Sequence, residues 1–234
     1  IGDSKVVLVL AAANGRPERT ETLDPGGTAD LVTWQRAARA RREQPFPLEP
    51  RGAPQLARGT LLLAGGGELP DDVWQQFVTL AGGRKARIVL VTAAAGEGGG
   101  DEQRVVRRLE PLVAQVTVLA ARRRGELTAA QLADVDAASG VWLGGGRQWR
   151  LVDAFEGSEL VPALQRVLAR DGVVGGTSAG ATVLGDLLVR GDPRGNTTMW
   201  CEGYERGFAL LPGVAVDQHF VVRNRLDDLR TLIT

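Results

Sequence analysis

The chain of 234 residues is poor in several residue types, and each shortage narrows its chemistry. It has one histidine, His219, and one cysteine, Cys201, so a multi-histidine or multi-cysteine metal site and an intrachain disulfide framework are both excluded. Lysine occurs only at Lys5 and Lys85, and nearly all of the 28 basic residues are arginine, which reads as genomic base bias. Equal numbers of acidic and basic residues give a formal net charge of +0, so no basic or acidic excess points to nucleic acid or a membrane surface. No run approaches the ~20 apolar residues of a membrane span. Val6 to Ala13 is apolar but short and lacks the basic leader of a signal peptide. The first residue is Ile1, which reads as a processed or trimmed form, cytoplasmic or exported after removal of a leader. No cofactor is expected.

Residues 1–57 read as an extension without chemistry. Lys5 to Ala12 fits a strand and Thr28 to Arg42 a helix. Pro45, Pro47, Pro50 and Pro54 then break regular structure and suggest a linker-like, loosely packed segment. From residue 58 onward the pattern becomes regular. Strands are expected at Thr60–Ala64, Ile88–Thr92, Val116–Leu119, Gly140–Leu143 and Asp171–Gly175. Helices are expected from Pro70 through Leu80, at Glu102–Leu109, Thr128–Ala137 and Ser158–Arg170, and from Ala179 to Leu188. Alternating strands and helices mean an α/β fold, with a mostly parallel sheet and helices on both faces. Its ligand site belongs at the carboxyl ends of the strands, where the glycine turns 65–67 and 144–146 fall.

Gly176-Thr177-Ser178-Ala179-Gly180 matches G-x-S-x-G at a strand-to-helix turn, the pattern of a nucleophile elbow. A serine nucleophile needs a base titrating near neutrality, and with one histidine present that base must be His219. The expected catalytic pair is therefore Ser178 and His219. The Ala179 N–H, together with an N–H at Gly145 or Gly146, would stabilise a tetrahedral oxyanion. Gly65-Gly66-Gly67 lacks the spacing of a dinucleotide fingerprint, and no P-loop lysine follows.

Four stretches resemble the cyanophycinase branch of the peptidase E-like serine peptidases. They are Leu63-Ala-Gly-Gly-Gly-Glu-Leu-Pro70, Leu143-Gly-Gly-Gly-Arg-Gln148, Gly175-Gly-Thr-Ser-Ala-Gly-Ala181 and Asp217-Gln-His-Phe-Val-Val-Arg-Asn-Arg225. The resemblance implies a fold similar to class I glutamine amidotransferases (flavodoxin-like), with serine as nucleophile. It implies a serine exopeptidase or dipeptidase acting on aspartyl or β-aspartyl peptides, the bond type of the arginine-bearing polyaspartate polymer. By the same resemblance Asp192 is the expected third acid, with Glu202 or a residue after Thr234 as rivals, and Gln148, Asp217, Gln218, Arg223 and Arg225 stand at substrate-site positions. Relatives often form dimers, which makes a homodimer the expected assembly. Two positions depart in charge: Arg147 stands where the family has aspartate, and Asp228 where it has arginine. The resemblance also implies further strands and an acidic motif after Thr234. The alternative reading is a catalytically silent paralogue that binds peptides or acts as a scaffold. An α/β-hydrolase esterase shares the elbow, but the Asp-Gln-His-Phe box argues against it.

Overall fold

The computed structural model describes residues 4–96 and 102–228. An antiparallel hairpin, β1 (Val6–Leu10) and β2 (Arg19–Leu23), is followed by helix α1 (Leu31–Glu43). The Asp30 carboxylate caps α1 by accepting from the N–H groups of Val32 and Thr33, as a helix with unsatisfied first donors requires. The α/β unit then runs β3 (Thr60–Ala64), α2 (Asp71–Leu80), β4 (Arg87–Val91), α3 (Glu102–Leu109), β5 (Gln115–Leu119), α4 (Ala129–Ala137) and β6 (Gly140–Leu143). It continues through α5 (Gln148–Phe155), α6 (Leu160–Ala169), β7 (Val173–Thr177), α7 (Ala179–Leu184), β8 (Gly185–Leu187) and β9 (Leu211–Ala215).

Five strands form one parallel sheet in the order β3-β7-β6-β4-β5. Both faces are covered. On one, Trp74, Phe77 and Leu109 of α2 and α3 pack on Ile88, Leu90 and Trp142. On the other, Leu151, Phe155, Leu164, Val167 and Val183 pack on Val89, Val91, Val141 and Val174. Burial on both faces explains why these strands read as continuous apolar runs. The elbow strand ends at Thr177, two residues later than expected, so that β7 delivers its chain directly to Ser178. Helix α7 stops at Leu184, because Gly185 enters β8 and pairs with Leu211 of β9. Among the described residues no helix is long and apolar enough to cross a membrane. The further strands implied after Thr234 lie outside the described residues.

Residues 4–57 are docked rather than linker-like. Leu10, Trp34 and Ala37 form a small core of their own. Arg16 pairs with Glu205 through both carboxylate oxygens at 2.5 and 3.0 Å, and Arg41 with Glu202 at 2.6 and 3.2 Å. Arg16 and Arg41 are both buried, and burying a guanidinium requires such a paired, hydrogen-bonded carboxylate. Arginines that composition presents as base bias thus anchor the extension. Cys201 lies buried beside these pairs, and burial pushes its thiol up to about 12, so it offers no thiolate nucleophile.

Candidate active site

Ser178 sits between β7 and α7 with φ 52° and ψ −117°, a backbone conformation that side-chain-bearing residues rarely adopt. Glycines make room for it: a Cβ added at Gly176 would lie 2.5 Å from the Gly180 carbonyl group. The turn lifts the hydroxyl to the carboxyl edge of the sheet, where Ser178 Oγ lies 3.0 Å from His219 Nε2. His219 also has positive φ, at 52°, and its N–H donates to the Gly65 carbonyl at 2.7 Å. The glycine turn after β3 therefore holds the histidine from below. A Cβ added at Gly66, where φ is +106°, would fall 2.5 Å from the imidazole Cε1. Gly66→Ala is expected to displace the imidazole from Ser178 and lower kcat by about a hundredfold, the scale of an ångström-level misplacement, and to lower Tm as well, because alanine is strained at that positive φ. Steady-state kinetics with a melting curve checks this.

A cavity of about 290 Å³ opens over the pair, walled by Val91–Thr92, Gly144–Gly145, Thr177–Ser178 and His219. All of these are strand ends or the loops that leave them. Arg104 and Arg108 of α3 complete the wall, and each is paired outward, with Glu68 and Asp71 respectively. The hydroxyls of Thr92 and Thr177 are buried without a hydrogen-bond partner in the protein, which leaves both able to bond a ligand. Thr177 belongs to the elbow motif, whereas Thr92 and the two arginines do not stand out in the sequence, because only the topology brings them to the site.

An imidazole at this distance can take the serine proton. Burial, with the nearby Arg223 and Arg225 guanidinium groups, holds the His219 pKa below the usual 6.5. Among the described residues no carboxylate is hydrogen-bonded to the imidazole. The Asp192 carboxylate instead accepts from the Arg194 backbone N–H at 2.9 Å and from its guanidinium at 2.8 to 3.2 Å. The expectation that Asp192 orients the histidine is corrected by that pairing. Glu202 is committed to Arg41 in the same way.

Ala179 is the first residue of α7, so its N–H has no intrahelical partner. Gly145 faces the serine, and a Cβ there would lie 3.4 Å from Ser178 Cβ. Gly146 has a different reason to be glycine: with φ +143°, a Cβ would strike the Ala94 carbonyl at 2.2 Å.

The residues expected to bind substrate divide sharply. Arg223 is exposed, one turn beyond His219. The side chains of Gln148, Gln218, Asp217 and Arg225 are buried and bonded to one another. The Gln148 amide donates to the Val189 and Arg190 carbonyls at 2.9 and 2.6 Å, and its own carbonyl accepts from Gln218 at 3.5 Å. Arg225 donates to Asp217 at 2.9 Å and to the Gln218 side chain at 3.0 Å. Arg190, unnoticed in the sequence, closes the network with a bidentate pair to Asp217 at 2.9 and 3.0 Å and a bond to Asp228 at 2.8 Å. These groups brace the loop that carries His219. The charge reversal at Asp228 finds its partner in Arg190.

Residues 61–234 match peptidase family S51. The chain belongs to that family. Cyanophycinase of Trichormus variabilis is 33% identical over 183 residues, covering 75% of this chain and 61% of the relative. Cyanophycinase of Geminocystis herdmanii is 29% identical over 187 residues, covering 77% of this chain and 69% of the relative. The chain thus spans about three fifths of the length of the first of these relatives. A crystal structure of a peptidase from an acI-B1 Actinobacterium has the same fold, with a TM-score of 0.57 at 22% identity over 74% of this chain and 71% of that one. The S51 match begins inside β3, so the hairpin and α1 lie outside it.

Proposed function

We propose that this family S51 chain is a serine exopeptidase or dipeptidase that hydrolyses aspartyl or β-aspartyl peptide bonds. The observation that carries the reading is the contact between Ser178 Oγ and His219 Nε2 at 3.0 Å in the wall of a cavity. In this reading His219 takes the Ser178 proton as the hydroxyl attacks the scissile carbonyl. The Ala179 and Gly145 N–H groups stabilise the oxyanion, and the imidazolium then protonates the leaving amine. Hydrolysis of the acyl-enzyme by water runs the same steps again. Arg104 and Arg108 in the wall, with the exposed Arg223 one turn beyond His219, would engage substrate carboxylates by charge-assisted hydrogen bonds. The cyanophycinase relatives support an aspartyl-type substrate.

The test is mass-spectrometric assay of aspartyl and β-aspartyl dipeptides beside tetrapeptides with a single internal aspartyl bond. Release of free products from the dipeptides with the internal bonds left intact is expected. No turnover by a folded chain would transfer support to the peptide-binding, catalytically silent alternative, which the absence of a histidine-bound carboxylate among the described residues favours.

The pH dependence has a definite sign. Neutral imidazole is the active form and its pKa is lowered, so kcat/KM rises with pH through an inflection below 6.5 and is flat above it. Removing the positive charge in Arg223→Ala moves that inflection upward, which a pH–rate profile detects.

A further inference from the structure

Strand register decides what the cavity over Ser178 can hold. Val91 pairs with Leu143 and Leu143 with Gly176, so the next row across the sheet is Thr92, Gly144 and Thr177. Two residues earlier the row is Leu90, Trp142 and Gly175. Side chains alternate along a strand, so both rows face the same way, toward α2 and α3. Leu90 and Trp142 are buried and form the floor of the cavity, with Trp74 of α2 packed on Trp142 at a ring-centroid distance of 4.7 Å. Leu69 and Val105 close its sides. The charged members of the lining, Glu102, Arg104 and Arg108, all come from α3 and stay partly exposed. Among the described residues the floor carries no charge.

Gly144 stands in the upper row between the two threonines. Its φ is not positive, so its backbone does not demand glycine. Among the described residues beyond its chain neighbours, a Cβ added there would meet only the Val91 carbonyl oxygen, at an ordinary 3.5 Å. Gly175, one row below, differs: a Cβ there would strike the Trp142 ring at 2.5 Å. The side chain missing at Gly144 therefore leaves a gap above Trp142. Thr92 and Thr177 flank that gap, and their hydroxyls are buried without a partner in the protein.

We propose that this cavity is a specificity pocket for an apolar side chain of aromatic size, carried by the residue joined to the aspartyl one, and that Gly144 is the residue that admits it. The aspartyl partner rests on the proposed function; the apolar preference rests on the cavity alone. At about 290 Å³ the space suits one side chain and not a whole peptide. A floor of two tryptophans offers an aromatic ring offset or edge-on contacts. A guanidinium entering it would meet no carboxylate on the floor, and burying an unpaired charge is costly. The Thr92 and Thr177 hydroxyls, level with Gly144 at the mouth, bond the main chain of the same residue.

The experiment titrates the full chain carrying Ser178→Ala, in which no turnover can occur, with four dipeptides in a calorimeter: aspartyl-phenylalanine, aspartyl-alanine, aspartyl-arginine and alanyl-phenylalanine. Aspartyl-phenylalanine is expected to bind about tenfold or more tightly than aspartyl-alanine, the scale of burying a phenyl ring, and more tightly than aspartyl-arginine. Adding Gly144→Ala should bring the ratio of the first two Kd values close to one, because a single methyl group in an apolar pocket is worth about tenfold. A melting curve shows that this variant is folded. Equal Kd values for aspartyl-phenylalanine and aspartyl-alanine with Gly144 in place overturn the proposal. So do tighter binding of aspartyl-arginine and no binding of any of the four. An unchanged ratio in the folded Gly144→Ala chain overturns the role of Gly144. Failure of the aspartyl reading looks different: alanyl-phenylalanine then binds as tightly as aspartyl-phenylalanine, with the apolar preference intact.

Discussion

Replacing Ser178 by alanine is expected to lower kcat on an aspartyl dipeptide by about 10⁴- to 10⁶-fold, the scale seen when a serine nucleophile is removed. The hydroxyl has no substitute among its neighbours: Cys201 is buried with its thiol pushed up to about 12, and Thr177 stands before the elbow with no bond to the histidine. His219→Ala should cost about as much, because the serine would then have no base. The double variant should be little worse than either single one, since the two groups act as a unit. The substitution keeps the Cβ and removes only the oxygen that meets His219, so Tm should hardly move. Active-site kinetics of the three variants, with melting curves, check all of this. Near-additive losses would show that the two residues act independently.

Arg190→Ala should have the largest effect on stability, a loss of about 3–5 kcal/mol, the range for breaking a buried ion pair. The Arg190 and Asp217 side chains are 2% and 1% exposed, so the charge left on Asp217 cannot be solvated. Arg225 still reaches Asp217, which keeps the loss from growing further. For a chain of this size that corresponds to a drop in Tm of roughly 10 °C or more. Activity measured below the new Tm should fall as well, because Asp217 and Gln218 lead directly into His219. Arg190→Lys should recover little, since one ammonium cannot reproduce a bidentate pair and a third bond to Asp228. An unchanged Tm in Arg190→Ala would remove the network from the account of how His219 is held.

The parts of the site that were legible in the sequence are those set by local backbone chemistry. Buried parallel strands announce themselves as apolar runs, and the glycines around Ser178 mark a turn that few other residues permit. The lone histidine left no choice of base. What escaped the sequence depends on long-range pairing of charged groups. Asp192 looked available, but Arg194 two residues on claims its carboxylate. Gln148, Asp217, Gln218 and Arg225 looked like substrate contacts, yet the fold turns them inward against Arg190, whose neighbours gave no hint of its role. The extension was misread for a related reason. Its proline run suggests a loose linker, while its attachment depends on Arg16 and Arg41 meeting acids 189 and 161 residues away, at Glu205 and Glu202 respectively. Helix α5 was not anticipated, although Gln148, Leu151, Val152 and Phe155 do fall on one buried face.

The most direct measurement is covalent labelling of the wild-type chain with a fluorophosphonate, followed by peptide mapping, with Ser178→Ala and His219→Ala alongside. The account predicts a single modified serine, Ser178, in the wild type and no modification in either variant. Labelling of Ser178 that persists at the same rate in His219→Ala would contradict it, because the hydroxyl would then owe its reactivity to something other than the imidazole 3.0 Å away.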